Sequence, residues 1–260
     1  MNLSQTLKTI AGRSVIVTGA ASGLGEATAR YFAQQGAKVT LLDLEEEKGR
    51  SVAASINAIF VKTNVTDEVS VQNAVATAMK TYGAIHGVVN CAGIAPPAKV
   101  LGKRGVHSLD AFVKVISVNL VGTFNVTRLV AEAMSQNSVV EGEDRGVIIN
   151  TASVAAYDGQ IGQAAYSASK GGVVAMTLPL ARELAAHRIR VCTIAPGIMM
   201  TPLLAALPQP AQDSLSKAVP YPSRLGSPYE FAALAHHIFA NQYLNGEVIR
   251  LDGSLRMSAL

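Results

Sequence analysis

The 260-residue sequence predicts an α/β fold: a single domain built on a doubly wound parallel sheet of about seven strands, with helices on both faces. Three observations point to it. Strand-like and helix-like segments alternate from end to end. The strand-like segments are continuous apolar runs rather than alternating ones, as in a parallel sheet covered on both sides. The first of these runs enters a glycine-rich turn and then a helix.

Taken in order, Ser14–Thr18 is a short apolar strand, and Gly23–Gln35 follows with helical spacing. Gly36 closes that helix as a C-cap. Lys38–Asp43 is the second strand, and Glu45–Ser55 is a helix with acidic residues in its first turn, where the dipole favours them. Ile59–Asn64 and Asp67–Tyr82 make the third strand and third helix. Gly87–Cys91, Gly146–Thr151, Arg190–Ile194 and Glu247–Leu251 supply the remaining strands. No internal repeat, linker or low-complexity stretch interrupts this single domain of residues 1–260.

Two segments are apolar or small on nearly every face. Between Asp158 and Arg182 the only charged residue is Lys170, and Ala111–Met134 is interrupted only by Lys114, Arg128 and Glu132. A helix apolar all round needs cover on both sides. The sheet covers one side, which leaves the other for a neighbouring subunit or, alternatively, an apolar face on a monomer. Pro179 falls inside the second long helix, where a kink is expected.

Composition narrows the partners. A net charge of +4 with no run of five Lys or Arg gives little support to nucleic-acid or membrane-surface binding. The mean hydropathy of +0.29 suggests apolar surface buried between subunits. The uncharged stretch Val191–Gln212 contains Pro196, Pro202, Pro208 and Pro210, which would break a membrane helix. Cys91 and Cys192 are too few for a disulfide framework and read as reduced core residues. The first strand starts too early to leave room for a cleavable targeting peptide, so a cytoplasmic location is the default.

Gly19, Ser22, Gly23, Leu24 and Gly25 lie between the first strand and the first helix, where a diphosphate can approach backbone N–H groups at a positive helix end. A glycine turn alone is often only a tight connection. Asp43, 18 residues after Gly25 at the end of the second strand, makes the difference, because it can accept hydrogen bonds from ribose hydroxyls. Together these features make a Rossmann-type dinucleotide site. Asp43 and Glu45-Glu46-Glu47 would repel a 2′-phosphate, and the loop has no Lys or Arg to bind one, so NAD is expected rather than NADP. Asn64 and Val65 either border the adenine or simply end the third strand.

Tyr166 and Lys170 are four residues apart and share a helix face, 13 residues after Ser153. They read as a phenol, its cationic activator and a hydroxyl that orients a carbonyl. A free phenol titrates near ~10, so acting near neutral pH requires about 3–4 kcal/mol of stabilisation of its anion. A lysine charge at about 5 Å in an effective dielectric near 20 supplies about 3.3 kcal/mol, nearly enough alone.

The Thr18–Gly25 loop, Asn90-Cys91-Ala92-Gly93 (the commoner form is Asn-Asn-Ala-Gly), Asn119, Ser153, Tyr166-x-x-x-Lys170 and Pro196-Gly197 together resemble the short-chain dehydrogenase/reductase family over essentially the whole chain. The resemblance implies catalysis by Ser153, Tyr166, Lys170 and Asn119, the last anchoring a water and proton relay to the lysine. It also implies cofactor contacts from Cys91, Gly93, Tyr166, Lys170, Pro196 and Thr201, and no metal. Gly146–Lys170, Asn119–Val130 and Leu244–Gly253 are similar to the 3-hydroxyacyl-CoA dehydrogenases of that family. That similarity implies NAD-linked interconversion of a 3-hydroxyacyl-CoA and a 3-ketoacyl-CoA by a homotetramer in fatty acid metabolism. The mammalian members of that group are mitochondrial.

Substrate features are less distinctive. Ile94–His107 is a long connection carrying Lys99, Lys103 and Arg104 with no acidic residue, and either binds the phosphates of an acyl-CoA thioester or is a solvated basic loop. Gln160 either touches substrate or is a turn residue. Ile198–Val219, rich in Leu, Met, Ala and Pro, reads as an apolar lid or as packing. A steroid or other secondary alcohol is the alternative substrate. A scaffold or partner-binding protein with secondary catalysis is the alternative of another class.

Overall fold

The computed structural model describes residues 7–103, 105–140, 142–205 and 208–259. In chain order the elements are β1 (Ser14–Thr18), α1 (Gly23–Gln34), β2 (Lys38–Asp43), α2 (Glu46–Ser55), β3 (Ile59–Lys62), α3 (Glu68–Tyr82) and β4 (Gly87–Asn90). A small hairpin, β5 (Leu101–Gly102) and β6 (Gly105–Val106), precedes α4 (Leu109–Ile116), a π-helical turn (Ser117–Val121) and α5 (Gly122–Ser135). Then come β7 (Gly146–Thr151), α6 (Ala164–Leu184), β8 (Ile189–Pro196), α7 (Pro202–Ala205), α8 (Gln209–Lys217), α9 (Pro228–Ala240) and β9 (Val248–Leu251).

Seven strands form one sheet in the order β3-β2-β1-β4-β7-β8-β9, and every adjacent pair is parallel. The period-2 geometry of each strand divides the core into two layers. Val15 and Val17 face Phe32 of α1 and Phe231 and Phe239 of α9. Ile16, Val88, Ile148 and Val191 face Val71 of α3 and Val126, Val130 and Met134 of α5. The chain leaves β1 in opposite directions toward β2 and β4, and a cleft opens there at the carboxyl ends of the strands.

Most boundaries follow from local chemistry. Asp67 caps α3 by accepting from the Ser70 N–H at 2.9 Å, and so stands outside the helix rather than beginning it. Gln35 is the C-cap of α1, and Gly36 takes the left-handed position just beyond, at φ +84°. The third strand stops at Lys62, two residues short of expectation, because Asn64 folds its side chain back to accept from the N–H and hydroxyl of Thr66. Helix α6 continues through Pro179 from Ala164 to Leu184.

The long apolar segment after the hairpin is one 27-residue rod, Leu109–Ser135, interrupted only by the π turn. Its length and composition alone would suffice to cross a membrane. Here Val126, Val130 and Met134 are buried against the sheet, as in a core helix. The outer face leaves Val113, Val121 and Phe124 exposed, joined by Leu178 of α6.

Candidate active site

The glycine loop is built for close approach. Gly19 and Gly23 adopt left-handed backbone angles of +64° and +58°, and a Cβ on Gly25 would lie 2.2 Å from the Gly19 carbonyl oxygen. Ser22 is the N-cap of α1 but makes no side-chain capping hydrogen bond, so it does not compete with an anion for the first-turn N–H groups. The Thr18 hydroxyl accepts from the N–H groups of Cys91 and Ala92, both at 3.1 Å, and ties the ends of β1 and β4 into one floor.

Above this floor is a cleft of about 460 Å³. Of the sequence-identified residues, Gly19, Ser22, Gly23, Leu24, Gly25, Asp43, Asn64, Val65, Cys91, Gly93 and Thr201 all line it. Glu45, of the acidic run read as repelling a 2′-phosphate, lines it too, and Leu42, Leu44, Thr63, Ile94 and Val118 also line it and were not singled out by sequence. The Asp43 carboxylate accepts from the N–H of Ala21 at 2.9 Å and of Glu45 at 3.0 Å, which fixes its orientation at the rim. The lining carries Asp43 and Glu45 and no cation among the described residues. Cleft size and glycine cradle fit a nicotinamide dinucleotide. Cys91 is a cleft residue as well as a packing one, and burial raises its thiol to about 11. Pro196 is buried at the end of β8 and does not line this cleft.

The catalytic candidates meet beyond Gly93. Lys170, 4% exposed, donates to the Thr151 carbonyl at 2.6 Å, and its Nζ lies 5.9 Å from the centroid of the Tyr166 ring. Ser153, the N-cap of a short 3₁₀ segment two residues beyond β7, accepts from the Ala155 N–H at 3.1 Å, and its hydroxyl pulls the Tyr166 phenol toward the phenolate. Asn119 sits in the π turn, fully buried, where its side chain accepts from the Ile94 N–H and donates to the Ile94 carbonyl, both at 2.8 Å. It also donates to the Ser169 hydroxyl at 3.0 Å. A Cβ on Gly93 would lie 3.2 Å from Asn119 Oδ1 and 3.6 Å from Lys170 Nζ, so glycine lets the β4 loop settle on both. Ser169 and Thr151 were not anticipated. Ser169 is adjacent to Lys170 in sequence, but only the fold shows that it joins α6 to Asn119.

Burial pushes the Tyr166 phenol up, against the pull of Ser153, and burial lowers Lys170 to about 8. At 5.9 Å the lysine charge is worth about 2.8 kcal/mol, and it must first offset the desolvation of the phenol.

The substrate candidates are less concentrated. Lys99 and Lys103 are exposed around the β5–β6 hairpin, and Arg104 lies outside the described residues. Gln160 donates through Nε2 to the Ser258 carbonyl at 3.2 Å, so its amide nitrogen is engaged by the C-terminal segment. The expected lid carries α7 and α8 and is anchored at its base, where Met200 donates to the Gly226 carbonyl and Gly226 to the Ile198 carbonyl.

This fold and site define a class of protein. Residues 13–212 match the short chain dehydrogenase family, and the chain belongs to it. It is 52% identical over 259 residues to the 3-hydroxyacyl-CoA dehydrogenase type-2 of Rattus norvegicus, covering 98% of this chain and 99% of that protein. It is 53% identical over 246 residues to the Drosophila melanogaster protein of the same name, covering 93% and 96% of the two chains. The crystal structure of 3-hydroxyacyl-CoA dehydrogenase type-2 from Mycobacterium avium superimposes with a TM-score of 0.91 at 41% identity, covering 96% of this chain and 98% of that one.

Proposed function

We propose that the chain is an NAD-dependent 3-hydroxyacyl-CoA dehydrogenase that interconverts 3-hydroxyacyl-CoA and 3-ketoacyl-CoA thioesters. The observation that carries this reading is the Ser153, Tyr166 and Lys170 set beside an acid-rimmed dinucleotide cleft, in a chain similar end to end to type-2 enzymes. The bound dinucleotide supplies the hydride acceptor and a positive ring. Ser153 holds the substrate oxygen and stabilises charge as it develops there. Tyr166 takes the hydroxyl proton in oxidation and returns it in reduction. Lys170 holds its charge near the phenol, and Asn119 keeps the Ile94 backbone and α6 in register.

The preference for NAD over NADP rests on Asp43 and Glu45 at the rim. Lys99, Lys103 and Arg104 are proposed to meet the CoA phosphates. The exposed Val113, Val121, Phe124 and Leu178 support association, and we propose a homotetramer. A cytoplasmic location and a role in fatty acid metabolism complete the proposal. The test is steady-state reduction of acetoacetyl-CoA with NADH, beside NADPH and a 17-ketosteroid. Turnover of the thioester with NADH at least tenfold more efficient than the other pairs is expected. A thioester that is inert while the steroid is reduced would sink the substrate assignment and leave the chemistry standing.

A further inference from the structure

The loop from Tyr157 to Gln163 joins Ser153 to the helix of Tyr166, and it is held from both sides. On one side the Ala98 N–H of the basic loop donates to the Gly162 carbonyl at 2.8 Å. On the other, the C-terminal segment runs along it: the Ile161 N–H donates to the Ala259 carbonyl at 3.0 Å, and Gln160 Nε2 to the Ser258 carbonyl at 3.2 Å.

Arg250 ties this strap to the loop. Arg250, on the edge strand β9, donates through Nε to Asp252 at 2.7 Å and through Nη2 to Asp158 at 2.6 Å. Nη2 also reaches the Leu255 carbonyl at 3.1 Å, and the guanidinium lies 5.0 Å from the centroid of the Tyr157 ring. The planar fork of arginine satisfies two carboxylates and an aromatic face at once, which lysine cannot do. Asp252 is itself packed against the backbone after β8, since a Cβ on Gly197 would be 2.8 Å from its Cα.

The catalytic pair does not depend on this fastening. Lys170 is fixed by Thr151, and α6 by Ser169 and Asn119. That fastening therefore acts on the 157–163 loop and not on the anchors of Lys170 and α6.

We propose that Arg250 is a positioning residue for substrate: through Asp158 and the C-terminal strap it sets the loop that, with the basic loop at Ala98, forms the substrate wall beside Tyr166. The inference rests on the proposed reading of the site. Its test is steady-state kinetics of Arg250→Met, Asp158→Asn, the double variant and Arg250→Lys, with acetoacetyl-CoA and NADH. Misplacing a wall by a fraction of an ångström is expected to raise KM for the thioester about tenfold in each single variant. The double variant should be no worse than Arg250→Met, since the methionine already removes the Asp158 contact. Arg250→Lys should not restore the KM, and kcat and the KM for NADH should stay within about twofold of wild type.

An unchanged thioester KM overturns the proposal. So does a parallel loss in kcat and both KM values, which marks general loosening, or additive effects in the double variant. If Arg250→Met does not fold, Asp158→Asn decides alone by the same split. If the wild type reduces another ketone but not the thioester, the substrate reading fails and the KM ratio for that ketone still decides this one. A wild type with no carbonyl activity overturns both.

Discussion

Replacing Lys170 by methionine removes one charge while keeping the length of the buried stem. The ammonium lies 5.9 Å from the centre of the Tyr166 ring, so at an effective dielectric near 20 its loss costs the phenolate about 2.8 kcal/mol. That corresponds to about a hundredfold less phenolate at a given pH. Lys170 titrates at about 8, because burial disfavours its charge, so at neutral pH it is still mostly cationic and able to act. The assay is kcat for oxidation of 3-hydroxybutyryl-CoA between pH 6 and pH 10. In Lys170→Met the rate at pH 7 should fall about a hundredfold, and the rising limb should move about two pH units toward alkali. The orphaned Thr151 carbonyl would cost about 1–3 kcal/mol of stability, partly offset because a buried charge is gone. A variant within about fivefold of wild type at pH 7, with an unmoved limb, would refute the claim that this charge tunes the phenol.

Other consequences are independent of that charge. Asp43→Asn keeps the shape and one acceptor of the rim but loses the charge, so KM for NAD should rise about tenfold and the preference over NADP should shrink. An unchanged ratio of kcat/KM for the two dinucleotides would show that the rim does not select. His86 accepts from the Ser14 N–H through Nδ1, and burial, with Arg13 and Lys8 nearby, lowers it to about 4. The neutral ring is favoured on folding, so the unfolded chain binds the extra proton, and stability should fall as pH drops from about 6.5 through about 4. Because the ring is only half-buried, screening brings the loss to about 1–2 kcal/mol. Chemical denaturation of His86→Asn should show a flatter stability profile over that interval, and an equal slope in both proteins would assign the acid sensitivity elsewhere.

The sequence was most legible where one local rule decides. The runs Ser14–Thr18, Lys38–Asp43 and Gly146–Thr151 have their observed limits because each is a β-branched or leucine-rich run bounded by glycine, aspartate or a polar turn. The glycine loop and Asp43 were equally plain, since each residue type meets a backbone or charge requirement at fixed spacing. The π turn around Asn119 left no trace, because the residues on either side carry helical periodicity straight through it. The β5–β6 hairpin has two residues per strand, all exposed, and so no period to detect. Gln160 is oriented by a carbonyl 98 residues away, and Ser169 by Asn119, 50 residues earlier. Such long-range partners lie beyond any reading of neighbours.

The proton-transfer role of Tyr166 is the centre of the account, and Tyr166→Phe tests it most directly. Turnover of acetoacetyl-CoA and binding of NADH, followed by its fluorescence, would be measured on the same preparation. NADH should bind within about threefold of wild type while turnover falls by at least about a thousandfold, in line with loss of a positioned acid–base group. Turnover retained within about tenfold would contradict it and move the proton chemistry to another group.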